Sequence, residues 1–181
     1  MNALPAPELS RPIKVKGLPG ETVVIEADAG ERAALAARFG LPGVDSLHAE
    51  VALEQRGRAI RATGTLRAAI RQACAISGED FPANIEESLD LRFVEEGAID
   101  PALEEDGEIE IELEADDCDE IEYAGDSFDL GEAVAQTLGL AIDPYAEGPE
   151  ADAARQAAGI VAEGEQEGPL AEMLKGLKKG G

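Results

Sequence analysis

The sequence predicts an α+β protein: an antiparallel β-sheet core with a few packing helices and a partly flexible acidic C-terminal tail. Three observations predict it. From Leu47 to Leu113 apolar residues recur mostly at every second position, the period of strands with one buried face. Two segments, 29–39 and 130–142, instead space their apolar residues at helical intervals behind a capping residue. Beyond residue 148 the chain turns to Ala, Glu and Gly, too polar to anchor itself. The expected organisation is a flexible arm over 1–12, a single α+β domain over 13–148, and an Ala/Glu-rich tail over 149–181 with a short terminal helical segment.

Composition and charge bound the function. The chain has 181 residues, enough for one domain with a core plus tails. Apolar residues make up 44% but aromatics only 3%, with no Trp, so the core is expected to be built from Ala, Val, Leu and Ile. The net charge of −24 is unevenly spread: residues 1–72 carry ten Lys and Arg against eight Asp and Glu, and residues 73–181 carry five against thirty-one. Phosphate binding depends on locally gathered cations, so the position of the arginines decides whether nucleic acid is a partner. The two cysteines, Cys74 and Cys118, supply neither a four-thiolate metal site nor a disulfide framework, and read as reduced thiols. No apolar run reaches the roughly 20 residues of a spanning helix, and the first residues lack a signal-like apolar stretch. A cytoplasmic location without a membrane partner is expected.

Taken in order, Ile13 and Val15 alternate with Lys14 and Lys16, and a β-branched run from Thr22 to Ala27 follows a turn at Gly17 to Gly20, which reads as a short hairpin. Asp28 with Glu31 three residues later has the spacing of a capping box; Ala33 to Phe39 fill the helix, and Gly40 and Pro42 end it. Leu47, Ala49, Val51 and Leu53 then share one strand face, and the chain turns at Gln55 to Arg58. The returning strand puts Ile60, Ala62, Leu66 and Ile70 on one side and Arg61, Arg67 and Arg71 on the other. With Arg56 and Arg58 at the turn, these arginines form a candidate phosphate-contacting surface, or else a solvated outer face. A Ser-, Gly- and Pro-containing turn around Cys74 leads into a third long strand with Ile85, Leu89, Leu91 and Phe93 on one parity.

Further on, Ile109, Ile111 and Leu113 alternate with Glu108, Glu110, Glu112 and Glu114, so one face of that segment is carboxylate. Such a face suits a basic protein partner by electrostatic steering. Glutamates projecting in parallel from a strand do not converge on Ca²⁺ or Mg²⁺, so no metal is expected. The last helix is the most sharply punctuated: Asp129 as N-cap, Glu132 as its capping-box partner, Phe128 stapled to Ala133, and Pro144 as the stop. In the tail, Leu170, Met173, Leu174 and Leu177 form an apolar stripe that is expected to dock on the domain.

Motifs for catalysis are lacking. The one histidine, His48, lies on a polar strand face, no Ser or Cys occupies a nucleophile motif, and there is neither a glycine-rich phosphate loop nor a histidine metal motif. No catalytic residue, cofactor or metal is expected.

The strand ending near Cys74 with its glycine turn and Phe81, the G-x-x-x-D-L helix start from Gly125 to Asp129 and Leu130, the helix ending before Pro144, and the terminal Pro169-Leu-Ala-Glu-Met-Leu-Lys-Gly-Leu-Lys178 together resemble the YceD family, the large ribosomal RNA subunit accumulation proteins. Many members carry C-x-x-C where this chain has Cys74-Ala75-Ile76-Ser77, so the second thiol is missing here. The resemblance implies a bacterial, non-enzymatic factor in large-subunit biogenesis that promotes 23S rRNA accumulation or 50S assembly. Its implied partners are the pre-50S particle, 23S rRNA or its precursor, and a basic ribosomal protein, but not DNA. Arg56, Arg58, Arg61, Arg67 and Arg71 are then the candidate rRNA contacts, and Glu108 to Glu114 the candidate contacts to a basic partner. The alternative is an acidic module that chaperones a basic ribosomal protein without touching RNA.

Overall fold

Asp28 fixes the first helix. In the computed structural model, which describes residues 7–97 and 119–160, its side chain accepts from the Glu31 N–H at 2.8 Å while the Asp28 N–H donates to Glu31 Oε2 at 2.9 Å. This reciprocal box starts α1 (Ala29–Phe39), and Gly40, at φ 65°, ends it in the left-handed conformation that glycine tolerates. The second long helix, α2 (Leu130–Ala141), starts at Asp129 and stops at Ile142, which is extended ahead of Asp143 and Pro144. A short third helix, α3 (Ala151–Ala157), follows.

The strands are β1 (Pro12–Lys14), β2 (Val23–Glu26), β3 (Gly43–Arg56), β4 (Ala59–Ala73), β5 (Asp80–Glu95), β6 (Asp119–Tyr123) and β7 (Ser127–Asp129). Five of them form one sheet in the order β2-β3-β4-β5-β6, and β1 and β7 form a separate two-stranded sheet. The α+β class is as expected, with two corrections. The expected hairpin of β1 with β2 does not form: β1 pairs antiparallel with β7, Ile13 opposite Phe128, while β2 pairs antiparallel with β3. Alternation of apolar residues marks a strand but not its partner. The sheet is also mixed, because β6 runs parallel to β5, Leu91 opposite Asp119. The sequence signal of β6 is the alternation of Ile121 and Tyr123 with Glu120 and Glu122.

The described residues fall into two compact units, 7–72 with 82–97 and 119–143, and 73–81 with 144–160. In the first unit, Leu47, Ala49, Val51, Ile60, Ala62, Leu66, Leu89, Leu91 and Phe93 are buried on the sheet, with Leu35 of α1 and Val134 and Leu138 of α2 in the same core. The aromatics are few but concentrated: Phe93 and Phe128 stack with centroids 4.1 Å apart, and Tyr123 lies 6.0 Å from Phe128. This corrects the expectation of a core built only from Ala, Val, Leu and Ile.

The arm expected to be loose through residue 12 is fixed from Leu9, whose exposure is 0%. Arg11 explains how. Its guanidinium holds both oxygens of Glu31, at 2.6 and 3.0 Å, and donates to the Glu26 carbonyl at 3.0 Å. Its own backbone carbonyl accepts from the Leu130 N–H at 3.1 Å.

Candidate functional site

The helix start that carried the resemblance is built around one carboxylate. Asp129 accepts from the Glu132 N–H at 3.1 Å, the Arg11 N–H at 2.7 Å and the Ser10 hydroxyl at 2.6 Å. Glu132 does not return the capping bond. It turns to Arg38, whose Nη1 and Nη2 each lie within 2.9 Å of it, and that pairing holds the Glu132 carboxyl below its usual range. Gly125, at φ 85°, makes the left-handed turn before β7, and Leu130 is fully buried. Gly125, Asp129 and Leu130 thus serve as turn, helix cap and core residue.

Of the arginines expected to meet RNA, Arg56, Arg61, Arg67 and Arg71 share the outer face of the sheet and meet carboxylates there, while Arg58 lies in the turn between β3 and β4. Arg61 makes a two-pronged bond to Asp90, at 2.9 and 2.7 Å. Arg67 reaches Glu86 at 3.1 Å, Arg71 lies 3.3 Å from Asp45, and Arg56 reaches Glu54 at 2.9 Å. Arg92 of β5 continues the pattern with Glu120 of β6 at 2.6 Å. Among the described residues, only Arg58 of the five expected contacts is without an ion pair. Exposed pairs of this kind contribute only about 0–1 kcal/mol each to stability. The β5 partners were visible in the sequence, since Glu86, Asp90 and Arg92 occupy the parity opposite Leu89, Leu91 and Phe93. At the β2 edge of the same face, Glu26 and Glu50 flank His48, each 3.4 Å from one of its ring nitrogens.

In the second unit, Cys74 heads a tight turn: its N–H donates to the Glu79 carbonyl at 2.8 Å and its carbonyl accepts from Gly78 N–H at 2.9 Å. Its sulfur accepts from the Ile76 and Ser77 N–H groups, both at 3.4 Å. The Ser77 hydroxyl, with these amides and that of Gly148, pulls the thiol down to about 7. Following Pro144, Ala146 accepts from the Ala75 N–H at 3.0 Å, so Pro144 leads the chain back to this turn.

Glu108, Glu110, Glu112, Glu114 and Cys118 lie outside the described residues, as do Leu170, Met173, Leu174 and Leu177. Among the described residues no group of three or more His, Cys, Asp or Glu side chains is placed to hold a metal ion, and no helix is long and apolar enough to cross a membrane. No curated protein and no solved structure matches the chain. The family model described as large ribosomal RNA subunit accumulation protein YceD matches residues 62–178, from β4 through the Cys74 turn and α2 into the C-terminal segment. With well over half its length matched, the chain belongs to the YceD family, and its role is in the accumulation of large-subunit ribosomal RNA.

Proposed function

We propose that the chain promotes large-subunit rRNA accumulation in the cytoplasm without catalysis, by holding a basic ribosomal protein on the outer face of its sheet during 50S assembly. The observation that carries this reading is the pairing of the strand arginines. Arg61 and Arg67 are engaged by Asp90 and Glu86, while Glu26, Glu50 and Glu54 add further carboxylates to the same face. A surface of this composition attracts Lys- and Arg-rich segments and speeds their encounter. In this reading the bound protein links the chain to the pre-50S particle and to 23S rRNA or its precursor.

The test is affinity capture of the full chain from its own cells, with and without RNase. Basic large-subunit proteins are expected to remain bound after RNase. Changing Glu26, Glu50 and Glu54 together to Gln is expected to lower that capture about tenfold, and Arg61→Gln with Arg67→Gln to raise it. Capture that disappears with RNase, or that falls in the arginine variant and not in the glutamate variant, would overturn the proposal.

A further inference from the structure

Between α1 and the start of β3 lies a groove of about 470 Å³, lined by Ala29, Ala33, Ala36, Ala37 and Val44 together with Arg32 and Arg71. Both cations are held from behind. Arg32 Nη1 donates to the Ala27 carbonyl at 2.7 Å, and Arg71 Nε faces Asp45, on the bulge between Val44 and Ser46, at 3.3 Å. An arginine has five N–H donors, so most of each fork remains available. Gly43 is where the chain makes room: a methyl there would come within 2.3 Å of Arg71 Nη2 and 2.9 Å of its Cζ. Its backbone is not left-handed, and the atoms such a methyl would meet all belong to the movable end of the Arg71 side chain.

We infer that this groove binds one nucleotide of single-stranded RNA, its phosphate between Arg32 and Arg71 and its base against the lining alanines. Two planar forks match the several oxygens of a phosphate better than the two of a carboxylate, and the volume leaves space beside the anion for a flat apolar group. Asp45 opposes the anion weakly, being half exposed and already engaged by Arg71. RNA as the source follows from the family's role, while the basic-partner surface is not needed, so the two ideas stand or fall separately.

The experiment uses the full chain, a fluorescein-labelled ten-nucleotide RNA, and fluorescence anisotropy over a range of salt. The double variant R32Q/R71Q is expected to weaken binding about tenfold and to lower the salt slope by about two, one for each lost phosphate-facing cation. R92Q, a charge change away from the groove, is expected to leave both near wild type. Gly43→Ala, which displaces Arg71 without removing charge, is expected to fall between. For a readout that does not depend on a variant folding, AMP is titrated into ¹⁵N-labelled wild type, and the amides of Ala33, Ala37 and Val44 are expected to shift. No RNA binding at low salt, an equal loss in R92Q, AMP shifts elsewhere only, or a poly-Glu peptide that displaces the RNA at lower concentration would overturn the inference.

Discussion

Asp129 shows how much one carboxylate can organise. Besides capping α2 it fixes the backbone and side chain of the N-terminal segment, through Arg11 N–H and the Ser10 hydroxyl. Loss of an ordinary N-cap costs about 0.5–2 kcal/mol; with the additional bonds, Asp129→Ala is expected to cost about 3 kcal/mol in urea denaturation. A loss no larger than that of an isolated cap would show that the Ser10 and Arg11 bonds add nothing. The capping role was legible because Asp-x-x-Glu has a local meaning; the bonds to residues some 120 positions away were not. Cys74 makes a second prediction. Its thiol is lowered to about 7 by the Ser77 hydroxyl and surrounding amides, so the folded chain holds fewer protons there than the unfolded chain. That contribution is fully present above the unfolded thiol's pKa and is lost as pH falls through about 7. The stability of wild type relative to Cys74→Ala is therefore expected to rise between pH 6 and pH 9, and a difference flat with pH would contradict it.

At the scale of elements, the helices and the long strands were readable because their signals are local: a capping box at Asp28, a left-handed Gly40, and alternation from Leu47 through Phe93. Pairing was not readable, since a short run such as Pro12–Lys14 carries no record of whether its partner is ten or a hundred residues away. The same limit hid the ion pairs, which need β4 and β5 side by side before Arg61 meets Asp90. The N-terminal segment offers the sharpest test of this level. Leu9 is wholly buried in the core of the first unit, so Leu9→Ala is expected to cost about 2–5 kcal/mol, measured as a shift in the denaturant midpoint. A loose arm would give almost none.

For the whole molecule, the net charge of −24 is a poor guide until its geometry is known. The sequence separates a slightly basic first part from a strongly acidic remainder, yet folding interleaves them: cations of β4 from the first part bond to carboxylates of β5 from the second. Binding of a basic partner to this face is therefore expected to weaken with salt, but less steeply than counting every carboxylate would suggest. The β1–β7 sheet has one more consequence, for the order in which the chain is made. Residues 9–15 leave the ribosome more than a hundred residues before their partners Asp126 to Leu130. At roughly 5–20 residues per second, Leu9 waits on the order of ten seconds in nascent chain before the pocket it fills exists. Non-local closure of this kind is slow, so the first unit completes its fold only when synthesis has passed α2.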